Sequence, residues 1–131
     1  SRRLARGQHS ILTPPPLEAA RLLGCDSAQV QSDRLQAARR LAQQFQCVVV
    51  LKGSGSVIAA PGQIPLINAT GNALLATAGT GDVLAGMIGA LLAQGVPEWE
   101  AACQAVYRHG EIADHWDSES PLTASLLAGR W

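Results

Sequence analysis

Gly79-Thr80-Gly81-Asp82, followed at once by the apolar run Val83 to Leu92, places two glycines, a hydroxyl and a carboxylate at the expected N-terminus of a helix. The first backbone N–H groups of a helix have no internal partner, and the macrodipole puts partial positive charge there. An anion bound at such a turn is stabilised without any cationic side chain. Gly79 and Gly81 let the backbone come close to that anion. Asp82 falls in the first turn, where the dipole favours its ionised form. A carboxylate held beside a bound phosphate can accept a proton from a substrate hydroxyl. An ordinary cap, with Thr80 or Asp82 meeting free N–H groups, fits the same four residues.

The elements that must position this turn alternate between strand and helix. Ser10 to Thr13 is a short extended run ended by Pro14-Pro15-Pro16, and Leu17 to Leu23 has helical spacing closed by Gly24. Ser27 is placed to cap the next segment. Its apolar positions Val30, Leu35, Ala38, Leu41, Ala42 and Phe45 recur at three- and four-residue steps, with Arg34, Gln36, Arg39, Arg40, Gln43 and Gln44 mostly on the other side. This pattern predicts one amphipathic helix covering a sheet. Cys47 to Leu51 is a continuous run without alternation, as expected of a strand buried on both faces of a parallel sheet. Gly53-Ser54-Gly55 then turns into Ser56 to Ala60, and Pro61-Gly62 turns into Ile64 to Ile67, a local meander. Two longer helices follow, Gly81 to Gln94 and Pro97 to about Trp116, separated by Gly95; a short helix from Thr123 to Leu127 ends the pattern.

Composition narrows the partner. The chain has 131 residues, 47% of them hydrophobic, and formal net charge zero, which suits a single domain over 1–131 and gives no electrostatic case for nucleic acid or membrane. A small-molecule partner fits better. The opening Ser1 to Arg6 lacks the apolar stretch of a secretory signal, and no apolar run is long enough to span a bilayer, so a cytoplasmic protein is expected. Cys25, Cys47 and Cys103 are odd in number and widely spaced, which predicts buried thiols rather than a disulfide frame or zinc site. His109, Asp114, Trp99, Trp116 and Trp131 carry no pattern that separates a functional role from packing or surface.

Several segments, taken in order, resemble a known family. They are Thr13-Pro14-Pro15-Pro16-Leu17-Glu18-Ala19-Ala20-Arg21-Leu22-Leu23-Gly24, Val49-Val50-Leu51-Lys52-Gly53, Asn68-Ala69-Thr70-Gly71-Asn72 and Ala76-Thr77-Ala78-Gly79-Thr80-Gly81-Asp82-Val83-Leu84. In order and spacing they resemble the ADP/ATP-dependent NAD(P)H-hydrate dehydratases of the ribokinase-like superfamily. His109-Gly110 with Asp114, and Leu122 to Ser125, extend the resemblance to the C-terminus. Ordered motifs of this kind are far more specific than one glycine turn.

The resemblance implies an α/β protein with the three-layer α/β/α, Rossmann-like fold of the ribokinases, of which this chain would be the C-terminal part. It implies a lyase that repairs a metabolite. Relatives use ADP or ATP, with magnesium, to dehydrate the hydrated form of NADH or NADPH, NAD(P)HX, and so restore the working cofactor. Carried across by position, Asp82 is the substrate-contacting residue and the catalytic base. Lys52, Gly53, Ser54, Gly55 and Ser56 correspond to the lysine-glycine loop on the nucleotide. Asn72, Thr77, Gly79, Thr80 and Gly81 fall in a second nucleotide segment. For Lys52 a solvated strand end is the ordinary alternative, which the neighbouring glycines weigh against. Asn68 to Asn72 could equally be a turn satisfying its own backbone.

Two readings compete with the dehydratase. One is a ribokinase-like kinase of a sugar, thiazole or pyrimidine alcohol. The other is a non-catalytic assembly module. The departures from the family pattern bear on both. Where many relatives have T-P-H-P-G-E, this chain has Pro15 and Leu17, so a histidine hydrogen bond to the hydrated cofactor is lost. Ser56 replaces the usual threonine and keeps the hydroxyl. Relatives also carry a substantial N-terminal half before the T-P-x-P segment. Half of a covered sheet would expose edges and apolar faces, which predicts a homo-oligomer or association with that half, and weak turnover by this polypeptide alone.

Overall fold

Val48–Leu51 (β3) is the central strand of a five-stranded sheet in the computed structural model, which describes residues 3–4, 11–53, 55–68 and 80–115. The chain divides into two compact units, Ser1–Asn68 and Ala69–Trp131.

In the first unit, Arg3–Leu4 (β1), Ile11–Leu12 (β2), β3, Val57–Ala59 (β4) and Leu66–Ile67 (β5) lie in chain order across the sheet. β2 and β3 run parallel, pairing Ile11 with Val48 and Leu12 with Val49, and the other three pairings are antiparallel. The sheet among the described residues is therefore mixed, with the expected meander supplying antiparallel pairs after β3. Physically, the connection between β3 and β4 is too short for a crossover and long enough for a hairpin-like return. The continuous apolar run of β3 keeps its predicted meaning, because all four of its residues are buried. Val49 and Leu51 face the helices of this unit, and Val48 and Val50, on the opposite face, are equally enclosed.

The parallel step from β2 to β3 is made by three helices, Pro16–Leu23 (α1), Ser27–Ser32 (α2) and Arg34–Phe45 (α3). Pro16 occupies the first turn of α1, where its missing N–H costs nothing, and Gly24 ends the helix at φ +72°. The single amphipathic helix expected over residues 27–45 is two helices. Asp33 breaks it at φ −151° and ψ 80°, and its carboxylate accepts from the Gln36 backbone N–H at 3.1 Å. Ser27 is not the cap. Asp26 takes that position in a reciprocal capping box, accepting from the Gln29 N–H at 2.8 Å while the Gln29 side chain accepts from the Asp26 N–H at 3.0 Å. The helices lay Ala19, Ala20, Val30, Ala38, Leu41 and Ala42 against Leu12, Val49, Leu51, Val57 and Ala59. Because Asp33 stops one helix and starts the next, Asp33→Ala should cost about 1 kcal/mol of stability, read as a lowered denaturation midpoint. A variant indistinguishable from wild type would mean that packing alone sets the break.

The second unit packs Thr80–Ala93 (α4) against Glu98–Asp114 (α5). α4 ends as predicted before Gly95, which adopts φ +88° while the Val96 N–H donates to the Leu91 carbonyl and the Gly95 N–H to that of Leu92, both at 3.0 Å. Pro97 is the N-cap of α5, one position before the first turn. Buried Ala101, Ala102, Ala105 and Ala113 give α5 a smooth stripe, and Leu84, Ala85, Met87 and Ile88 are the buried residues of α4. The helix expected at Thr123–Leu127 lies outside the described residues.

Candidate functional site

β2 and β3 are parallel neighbours, so the segments that leave them, Thr13-Pro14-Pro15 and Lys52-Gly53, emerge at the same end of the sheet. That end is where α/β folds place ligands. The two segments are joined there by the Lys52 N–H, which donates to the carbonyl of buried Pro14 at 3.0 Å. Gly53 and Gly55 have φ +148° and +69°, values that side-chain-bearing residues rarely adopt, so this sequence needs glycine at both positions to make the turn. The Ser56 hydroxyl donates back to the Gly53 carbonyl at 3.4 Å, and the Asn68 N–H donates to the Ser56 carbonyl at 2.8 Å, linking the turn to the end of β5. Asn68 is thus tied to the ladder rather than standing as an isolated turn residue. Lys52 is half-buried at the strand end, and Ser54 lies outside the described residues.

Glycines with positive φ let a backbone come close to a phosphate, and a lysine at such a turn can add a point charge. Pro15, at which the sequence departs from the T-P-H-P-G-E pattern, is the N-cap of α1 and makes no side-chain capping bond; Leu17, the other departure, is 56% exposed.

Arg34 is the residue that the periodicity misplaced. As the first residue of α3 it does not point to solvent with Gln36 and Arg39. Its Nη2 donates to the Leu51 carbonyl at 3.2 Å, at the end of β3. Burial lowers its pKa below the ordinary guanidinium value, yet a guanidinium keeps its charge at neutral pH. The sequence signal that could have found it is the Asp33-x-x-Gln36 spacing, which announces a new helix starting at Arg34.

In the second unit, Thr80 begins α4 and Asp82 is the acidic residue of its first turn, as the sequence predicted. Asp82 is exposed and Gly81 half-buried. A carboxylate in this position is favoured by the helix dipole. Asn72, Thr77 and Gly79 lie outside the described residues. His109 is buried on α5, whereas Asp114 is exposed at the end of the same helix. The three cysteines form no disulfide; Cys47 is buried, and Cys25 and Cys103 are half-buried. Burial pushes the Cys103 thiol up, which leaves it protonated and a poor nucleophile at neutral pH. Among the described residues no group of three or more His, Cys, Asp or Glu side chains could hold a metal ion, and no helix is long and apolar enough to cross a membrane.

A mixed sheet flanked by helices, with a glycine turn after one of two parallel strands, defines an α/β protein of the ribokinase-like class. A solved ribokinase-like superfamily protein from Enterococcus faecalis V583 superimposes on 91% of the chain with a TM-score of 0.78 at 30% identity, over 41% of its own length. Within that class the match sharpens. The sequence model of a family described as NAD(P)H-hydrate dehydratase covers residues 2–129, and the chain belongs to that family. An ADP-dependent (S)-NAD(P)H-hydrate dehydratase from Neisseria meningitidis serogroup B is 53% identical over 130 residues, 98% of this chain and 44% of that protein. The crystal structure of the Bacillus subtilis ADP/ATP-dependent NAD(P)H-hydrate dehydratase, co-crystallised with ATP and Mg2+, matches with a TM-score of 0.83 at 37% identity, over 98% of this chain and 48% of that one. The chain therefore spans about half the length of these two relatives.

Proposed function

We propose that the protein carries out the nucleotide-dependent dehydration of hydrated NADH and NADPH, with ADP or ATP as phosphoryl donor and Asp82 as base. The observation that carries this reading is the family match over residues 2–129, which spans both the Lys52–Ser56 turn and the helix that starts at Thr80. In this reading Lys52 holds the nucleotide through its side-chain charge, and Gly53, Ser54, Gly55 and Ser56 through backbone N–H groups. Asn72, Thr77, Gly79, Thr80 and Gly81 form the second nucleotide segment.

The chemistry follows from what a hydroxyl lacks, namely the ability to leave. Asp82 takes the proton of the ring hydroxyl as its oxygen attacks the terminal phosphorus of the nucleotide, and the bond from that phosphorus to the nucleotide's bridging oxygen breaks. The ring nitrogen's lone pair then expels phosphate, and loss of a neighbouring ring proton restores the dihydronicotinamide double bond. Magnesium held on the nucleotide's phosphates would neutralise developing charge. Mg2+ is commonly carried by substrate phosphates. The same reading assigns the reaction to the cytoplasm.

The test combines the protein with hydrated NADH, magnesium and either ADP or ATP, and follows dihydronicotinamide absorbance together with phosphate release. Recovery dependent on one nucleotide is the expected result and names the donor. A stable phosphorylated alcohol without recovery would replace the dehydratase with a kinase, and failure to bind any nucleotide, together with partner-dependent folding, would point to an assembly role.

A further inference from the structure

Arg34 and Gly53 occupy each other's space. A Cβ built on Gly53 would lie 2.7 Å from Nη2 of Arg34, 3.1 Å from Cζ and 3.5 Å from Nη1, so the guanidinium fills the volume that a side chain at position 53 would take. The same Nη2 donates to the Leu51 carbonyl at 3.2 Å. Arg34 therefore touches the chain on both sides of Lys52, at the last residue of β3 and at the first glycine of the turn.

We propose that Arg34 is a positioning residue for the start of the nucleotide turn, fixing the backbone at Leu51 and Gly53 on either side of Lys52 in the form that receives the nucleotide's phosphates. This role rests on the reading that the turn binds nucleotide. The physical case has three parts. First, a glycine at φ +148° loses more freedom on ordering than any other residue, so the turn needs an external brace to stay in one conformation. Second, the brace is itself fixed. Arg34 begins α3 directly after its N-cap Asp33, so its backbone is held by the capping bond to Gln36. Third, a planar guanidinium offers a fork of donors and a permanent charge in one rigid group. Its partial burial, which lowers its pKa, marks it as packed against the turn rather than waving in solvent. Hydrogen bonds from Lys52 to Pro14, Ser56 to Gly53 and Asn68 to Ser56 also tie this turn.

The consequence is a division of labour. Lys52 and the glycine N–H groups meet the phosphates, while Arg34 acts through them. Losing a positioned, charge-assisted donor should cost about tenfold in nucleotide affinity.

The experiment compares wild type, Arg34→Gln, Arg34→Lys and Lys52→Ala in the steady-state reaction, and measures amide hydrogen exchange over residues 52–56 without nucleotide. In Arg34→Gln the nucleotide KM should rise about tenfold, the KM for the hydrated cofactor and kcat should stay within about threefold, and the turn should exchange faster. Arg34→Lys should fall between, because it restores charge without the fork. An unchanged nucleotide KM in Arg34→Gln, with affinity lost in Lys52→Ala, would overturn the role of Arg34 alone. Wild-type nucleotide affinity in both Arg34→Gln and Lys52→Ala would overturn the nucleotide reading of the turn and this role with it. Equal losses in both KM values and in thermal stability would make Arg34 a structural residue only.

Discussion

Asp82→Asn should lower turnover about 10²–10⁴-fold while leaving nucleotide affinity nearly intact, because general-base catalysis is worth about that much and asparagine cannot take the proton. The substitution is close to isosteric. It also respects the local fold: Asp82 sits in the first turn of α4, and an asparagine there can still meet backbone N–H groups. What the helix loses is a favourable charge on its dipole, worth about 0.3–1 kcal/mol, far too little to unfold the unit. A fall in kcat with unchanged nucleotide Kd and an almost unchanged melting temperature would therefore isolate the chemical role. Two other results are informative. Unchanged turnover would reject Asp82 as the base and return the Gly79–Asp82 turn to the ordinary cap that its composition also allows. Equal losses in turnover and in nucleotide affinity would make Asp82 part of the nucleotide site instead.

Much of the architecture was legible because local chemistry and burial agree. The unbroken Cys47–Leu51 run announced an enclosed strand, and β3 is enclosed. Gly24 and Gly95 announced helix ends, and both adopt positive φ. Pro61-Gly62 announced the β4–β5 return, and the two strands pair there. The sequence was misread where two signals conflicted. Helical spacing runs smoothly from Val30 to Phe45, and it hid the Asp26-x-x-Gln29 and Asp33-x-x-Gln36 spacings that start separate helices. Periodicity reports which side of a helix is apolar, whereas a cap reports where the backbone stops being helical, and at Asp33 the cap wins. That one error carried a second. A continuous helix would put Arg34 among the solvated residues, while a helix beginning at Arg34 sends its guanidinium to the end of β3. Strand direction was legible from the turns rather than from the strands. Burial on both faces is common to parallel strands and to the centre of a mixed sheet, so the run itself cannot say that β4 returns antiparallel; the short Gly53–Ser56 connection does.

Leu41→Ala should cost about 2–5 kcal/mol, the range for removing a buried leucine from a site that cannot fully collapse. Leu41 is fully buried on α3, in the layer where α1, α2 and α3 meet Val49, Leu51 and Val57. Its neighbours in that layer on the helices are mostly alanines, Ala19, Ala20, Ala37, Ala38 and Ala42, whose short side chains have no rotamers with which to fill a void. The cost should therefore lie toward the upper half of the range. Leu35 on the same helix is 39% exposed, and Leu35→Ala should cost about 1 kcal/mol or less. The pair separates burial from helix propensity, since both changes replace leucine by alanine in one helix. In denaturant the midpoint should fall for Leu41→Ala with an unchanged m-value, which marks lost stability rather than a changed native or denatured state. Similar shifts for the two variants would contradict the packing described here. The effect should also reach the site. Arg34 lies seven residues before Leu41 on α3, about two turns away, so a helix that loses its hold on the sheet also loses the brace on Gly53. Faster amide exchange over residues 52–56 in Leu41→Ala, under conditions where the protein is still folded, would show that core packing and the turn are mechanically one piece.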